Sequence, residues 1–345
     1  MKEKLRIALI GAGSFACRYH IPNMMRREDA ELVAIAKRSD KKRKEVQEYF
    51  DIPHGYANYL ELLERETPDG VIICTPHDRH YEQAKTCLER EIPVLLEKPM
   101  TLDVADAYEL VAIAEENDVP FLVAYNRRVD PRYRETARII ADGGIGEIRF
   151  LEGRRFENLE WLLSGELPPT EELREKHWPE EDHPNFRSAP KAIGEGFLED
   201  GGTHMIDTLL WFSFSRPAEV NAIMHTYPSG LEVRTAVNLI FENGAIGSLS
   251  CSGDTSSVIP YETLVHGSEG AIALSKQEFL HIYKGQSMNP TPTFPPNTTT
   301  DHFIEVLNER EEILCAADTA ATVVEITRAI FESARSRQTV TVSIR

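Results

Sequence analysis

The chain has 345 residues, enough for about two domains of ordinary size. Its 56 acidic against 38 basic residues leave a net charge of −18, the wrong sign for gripping a nucleic-acid backbone or an anionic membrane surface. Five cysteines, at 17, 74, 87, 251 and 315, are odd in number and form no C-x-x-C pair, which speaks against a disulfide framework and for a reduced, cytoplasmic setting.

The N-terminus "MKEKLRIALIGAG" places basic residues before an apolar run. That run is too short for a signal peptide and ends in glycines, so it reads as a buried strand. No apolar stretch approaches the ~20 residues that cross a bilayer. "ELVAIA", "GVIICT", "PVLLE" and "FLVAY" repeat the strand type, with amphipathic stretches such as "DKKRKEVQEYF" and "DVADAYELVAIAEEND" between them. Strand and helix in alternation predict a parallel sheet covered on both faces, over residues 1–125.

After the first strand comes Gly11-x-Gly13-x-x-Ala16. Gly11 permits a tight turn, Gly13 lets the backbone approach a pyrophosphate, and Ala16 allows close helix–strand packing. Residues Gly11, Gly13, Ser14, Phe15 and Ala16 are therefore candidates for dinucleotide binding, with the helix N–H groups directed at phosphate. A strand–helix turn without a ligand is the plainer alternative. At the end of the next strand an NAD site usually carries an acid for the ribose 2′-OH. Lys37, Arg38 and Ser39 stand there instead. Two cations and a hydroxyl suit a 2′-phosphate, so NADP is favoured over NAD; alternatively Ser39 or Asp40 caps the next helix.

Ligands of open α/β sheets bind at the carboxyl ends of strands. Two such ends carry unusual residues: "CTPHDRH", with Thr75, Pro76 and His80, and "VLLEKPM", with Glu97, Lys98 and Pro99.

The pattern then changes. "GEIRFLEGRRFE" (146–157) alternates like an antiparallel strand, and an acidic, proline-containing segment follows to 190. A helix is expected from near Gly202, then alternating strands with hairpin turns at Asn243-Gly244 and Glu269-Gly270. Residues 287–300 read as a Pro/Thr-rich loop, followed by helices near 301–313 and 317–336 and a last strand "TVTVSI". Residues 126–345 are thus an α+β domain with a large, open, mostly antiparallel sheet. Apolar residues on both faces of "AVNLIF" predict self-association through that sheet, as a dimer or tetramer.

"LEDGGTHMIDTLLWF" (198–212) holds Asp200, His204 and Asp207, four and three residues apart and so on roughly one helix face. Metal binding would need more converging ligands than one histidine and two acids, so none is expected. Asp200 could cap the helix with His204 a core residue, or the pair could handle a proton, a histidine having an ordinary pKa of about 6.5. Asp207 is expected to face the protein. Gly201 and Gly202 would let a ligand approach the backbone.

G-x-G-x-x-A, T-P-x-x-x-H (75–80), E-K-P (97–99), "YNRR" (125–128), Asp200-x-Gly202-x-His204-x-x-Asp207 and "SARSRQTVTV" run in one order along nearly the whole chain. In this the chain resembles the Gfo/Idh/MocA oxidoreductases. The resemblance implies a Rossmann domain, a C-terminal domain with an open antiparallel sheet, and NAD(P)-dependent oxidation or reduction of a sugar, cyclitol or related polyol. It implies Lys98, Asp200 and His204 as catalytic residues that also touch substrate. His204 would exchange the proton at the reacting oxygen, Lys98 would stabilise charge there, and Asp200 would orient His204. Tyr125, Asn126 and Arg128 are candidates for substrate contact or for a hinge, and Arg187 in "FRSAPKAIGEG" for the substrate side. The competing expectation is a relative that binds dinucleotide as a sensor or scaffold without turnover.

Overall fold

The computed structural model describes residues 4–164, 186–255, 261–275 and 278–342. They fall into two compact units. The first is built on Met1–Ala124, Gly165–Ala192 and Thr298–Ala321, the second on Tyr125–Ser164, Ile193–Asn297 and Thr322–Arg345. The division is not the simple cut after residue 125 that strand rhythm suggests, because the helix Thr299–Leu307 is grouped with the first unit.

The first unit's sheet consists, among the described residues, of six parallel strands in the order β3-β2-β1-β4-β5-β6. They are β1 Leu5–Ile10, β2 Ala30–Ala36, β3 His54–Tyr56, β4 Gly70–Ile73, β5 Val94–Leu96 and β6 Phe121–Val123. Strands β4, β5 and β6 are buried at every residue, as a sheet covered on both faces requires. The short edge strand β3 is not foreshadowed by its sequence, "HGY", which lacks any apolar run. Helices between the strands start where a side chain can accept their first N–H groups. Ser39 caps Asp40–Phe50, Asn58 caps Tyr59–Glu66, and Asp103 caps Val104–Glu116.

The second unit's sheet, among the described residues, has nine strands. They are β7 Ile148–Phe156, β8 Pro217–Thr226, β9 Glu232–Phe241, β10 Ile246–Ser252, β11 Tyr261–Gly267, β12 Gly270–Ser275, β13 Phe279–Tyr283, β14 Gln286–Met288 and β15 Val340–Thr341. Their order is β14-β13-β12-β11-β7-β10-β9-β8-β15. Pairing is antiparallel except between β7 and β10. In β9, Val233, Thr235, Val237, Leu239 and Phe241 point to the core while Arg234, Ala236, Asn238 and Ile240 point out. The helix Thr203–Ser213 packs on the inner face, where Met205 and Leu209 would crowd any Cβ on Gly153 of β7.

Other boundaries move. The helix expected over 301–313 spans Thr299–Leu307, capped by Thr298, whose hydroxyl accepts the Asp301 N–H at 3.0 Å. The last strand is seen only as Val340–Thr341, the final three residues lying outside the described chain. The acidic segment lies outside it from 165 to 185. All five cysteines are free, and all but Cys74 are buried.

Candidate functional site

In the first unit the glycine turn leaves the carboxyl end of β1. Gly11 has φ +96°, and a Cβ there would meet the Cys74 carbonyl oxygen at 2.4 Å and the Thr75 side chain at 2.6 Å. Only glycine lets the turn lie this close to the end of β4. Ala12 and Ala16 are fully buried, and Ser14 nearly so. The chain enters a helix at Ser14, widens into a π turn over Ala16–His20, and returns to α geometry at Ile21. The small residues leave a backbone cradle at a strand's carboxyl end, which fits a dinucleotide pyrophosphate.

At the end of β2, Lys37 is half-buried and Arg38 exposed. The Ser39 hydroxyl accepts the Lys42 N–H at 3.5 Å, so Ser39 is the helix cap, the alternative to its cofactor role. Asp40 pairs with Arg43 and, at 3.0 Å, with Lys44.

The E-K-P turn ends β5 with a cis Lys98–Pro99 bond. Glu97 donates its N–H to the Ile73 carbonyl at 2.9 Å, and its carboxylate meets His20 Nε2 at 3.0 Å. His80 lies fully buried, with Nδ1 2.8 Å from the Pro99 carbonyl and Nε2 2.9 Å from the Thr75 carbonyl. Burial pulls the His80 imidazole below its ordinary pKa, against the two carbonyls, which favour the charged ring. A neutral ring has one N–H, so one carbonyl receives a proton and the other faces a lone pair. His80 and Glu97, at the two strand ends singled out as candidate ligand sites, have side chains that are enclosed and already bonded within the turn. Thr75 donates its hydroxyl to Gln83 at 2.7 Å, and Pro76 opens the short turn His77–Arg79. Lys98 itself stays half-exposed between clamped neighbours.

In the second unit, helical structure begins at Leu198 rather than near Gly202, as a π turn over Leu198–Gly202 that runs into Thr203–Ser213. Asp200 is inside that turn, its N–H on the Gly196 carbonyl at 3.2 Å, so it is not the cap. Asp200 is buried and His204 half-buried, about one turn further along. The Tyr125 ring stands edge-on to His204, centroids 6.0 Å apart and planes at 87°. A Cβ on Gly201 would meet the Phe197 ring at 2.7 Å, and one on Gly202 would meet Leu198 at 2.7 Å and Cys251 at 3.1 Å. The paired glycines thus make room for neighbouring side chains.

Asp207 faces the protein. Arg128 donates Nε to both its oxygens, at 2.8 and 3.1 Å, while lying over the Trp211 ring at 5.2 Å. The Arg128 guanidinium is thus buried on the Asp207 carboxylate. Asn126 is exposed, and Arg187 is half-buried on the turn Phe186–Ser188.

Two residues that sequence reasoning missed surround the π turn. Glu199 is buried on Arg328 and receives the Glu195 N–H at 2.8 Å; Glu232 receives the Leu198 N–H at 2.6 Å and the Thr235 hydroxyl at 2.5 Å. Burial pushes both carboxyls up to about 7. His20 was missed as well. Glu199 and Arg328 are 129 positions apart and His20 and Thr300 are 280 apart, so no local spacing could have paired them.

Residues 5–125 match a family model described as an oxidoreductase family with an NAD-binding Rossmann fold, and residues 133–273 match the GFO/IDH/MocA C-terminal domain. An uncharacterized oxidoreductase of Synechocystis is 28% identical over 77% of this chain and 67% of its own. The trans-1,2-dihydrobenzene-1,2-diol dehydrogenase of Bos taurus is 26% identical over 78% of this chain and 74% of its own. Among solved structures, aldose-aldose oxidoreductase from Caulobacter crescentus, complexed with glycerol, superposes with a TM-score of 0.82 at 20% identity, over 98% of this chain and all of that one. Levoglucosan dehydrogenase, in complex with NADH and levoglucosan, gives 0.82 at 20% identity over 99% and 100%. At these identities the two structures show a shared fold.

Proposed function

Because the chain belongs to the Gfo/Idh/MocA oxidoreductases, whose N-terminal part is an NAD-binding Rossmann fold, we propose that it moves a hydride between a nicotinamide and a secondary alcohol or ketone of a sugar, cyclitol or related polyol. The observation that carries this is Lys98: a half-exposed ammonium at a strand's carboxyl end, in the sheet that carries the glycine turn, with the residues on both sides of it immobilised. The compounds named for two relatives, a trans-dihydrobenzenediol and levoglucosan, both carry secondary alcohols.

A bound nicotinamide dinucleotide supplies the hydride acceptor or donor. The chain's own residues do the rest. The Gly11–Ala16 turn binds the pyrophosphate through backbone N–H groups. Lys37 and Arg38 pair with a ribose 2′-phosphate, which makes NADP the favoured form. Lys98 donates to the reacting oxygen and stabilises negative charge as it develops. His204 is the group that takes or returns a proton, and Asp200 keeps its ring oriented. Ile223, Ile240 and Ile246 are 70%, 45% and 45% exposed on the outer face of the nine-stranded sheet, which suits a homo-oligomer that covers them. Five free cysteines suit a cytoplasmic setting.

The deciding experiment is a panel of polyols with NADP and NAD, and of ketoses with NADPH and NADH, followed by nicotinamide absorbance. Turnover of one or more carbinol–ketone pairs is expected. Tight dinucleotide binding with no turnover across the panel would replace the enzyme by a sensor.

A further inference from the structure

We infer that His20 is a positioning residue for Lys98: bridged between the Thr300 hydroxyl and the Glu97 carboxylate, its imidazole fixes the strand end from which the lysine projects. The inference rests on the oxidoreductase role proposed for Lys98.

His20 is fully enclosed, as is Thr300, and Glu97 is nearly so. Nε2 lies 3.0 Å from Glu97 Oε1, and Nδ1 lies 2.8 Å from Thr300 Oγ1. A carboxylate only accepts, so Nε2 carries a proton; Nδ1 of a neutral ring then accepts from the Thr300 hydroxyl. Both polar ends of the ring are satisfied, and removing either partner would bury an unmet polar group. Tyr19 and Phe15 present their faces or edges to the ring at 5.2 and 5.6 Å and limit its tilt.

The bridge ties three remote pieces of the first unit: the π turn after the glycine turn, the end of β5, and the first turn of Thr299–Leu307. Lys98 is the next residue after Glu97. On its other side the Pro99 carbonyl packs against the buried His80 ring, 2.8 Å from Nδ1. The residues on both sides of Lys98 are thus packed into the first unit by enclosed imidazole rings. His20 is enclosed and bonded at both nitrogens, so its effect on a reacting oxygen passes through Glu97 and Lys98.

The test uses the whole chain carrying His20→Ala, His20→Gln or Thr300→Val, each also combined with Lys98→Met. A misplacement of about 1 Å costs up to ~10²-fold in rate, so His20→Ala is expected to lower kcat by ~10- to 100-fold with dinucleotide Kd changed less than about 3-fold. In the Lys98→Met background the same change should cost less than about 3-fold, since nothing is left to position. His20→Gln, which can still donate to Glu97, should recover part of the loss, and Thr300→Val should give a smaller loss in a chain that still folds. Competitive acetylation read by mass spectrometry reports the Lys98 amine without any turnover. Its labelling rate should change in His20→Ala and Thr300→Val while that of Lys284 does not. An equal kcat loss in both backgrounds, or an unchanged Lys98 labelling rate, overturns the inference. A changed labelling rate in a chain that turns over no polyol or ketose supports the inference and removes the oxidoreductase role instead.

Discussion

Two histidines of the first unit and one of the second live in opposite circumstances. His20 and His80 are wholly enclosed, and both nitrogens of each ring contact protein oxygens. His204 is half-buried against the edge of Tyr125 on a helix that starts with a π turn. A ring whose nitrogens are both committed in the interior holds backbone in place, because moving a proton would break a buried bond. A ring with access to solvent can exchange one. One residue type thus does two jobs, and enclosure separates them.

The largest effect should come from replacing the accessible ring. His204→Ala is expected to lower kcat by ~10²–10⁴-fold and leave dinucleotide affinity intact. The variant should lack an ionisation present in the wild-type pH–kcat profile, and chelators should leave the wild type unchanged. Loss of activity with EDTA, restored by a divalent ion, would make Asp200 and His204 metal ligands and erase the contrast.

Lys98→Met should cost ~10²–10³-fold in kcat in a folded, dinucleotide-competent protein. If more than about a third of the rate survives, the clamps around Lys98 serve stability alone.

A third effect belongs to the carboxyls packed around the π turn. The Glu199 pKa is raised by burial from 4.5 to about 7, with Arg328 opposing. The folded state therefore holds a proton that the unfolded state releases between those values. The contribution is complete below about 4.5 and is lost as pH rises through about 7. Its size is on the order of 3 kcal/mol for a group this enclosed. Thermal melts should show a higher Tm at pH 5 than at pH 8, and Glu199→Gln should remove about half of that difference, Glu232 carrying the rest. An unchanged slope in the variant would show that Arg328 keeps Glu199 ionised throughout.

The smallest effect concerns the exposed cations. Lys37→Ala with Arg38→Ala should weaken NADPH by ~10-fold after solvent screening and leave NADH within about 2-fold. Fluorescence titration showing equal loss for both cofactors would remove the 2′-phosphate assignment.

How much of this was legible in the chain follows from what each feature depends on. The glycine turn, the parallel strands and the E-K-P strand end could be read because their causes are local: buried apolar runs, and a φ of +96° at Gly11 that favours glycine. The Asp200–His204 spacing was visible too. The π turn beneath it was not, because its anchors, Glu232 and Arg328, come from β9 and from the helix Ala317–Ser336. "YNRR" looked like a surface for ligand until Asp207 was found to bind Arg128. His80 looked like a ligand until the carbonyls of Thr75 and Pro99 closed on its ring. By itself the sequence determined the buried parallel strands and the glycine and E-K-P turns, since these answer to neighbours along the chain. The tertiary structure alone decided which charged and imidazole groups stay available, since burial and long-range partners set the cost of moving a proton or a charge.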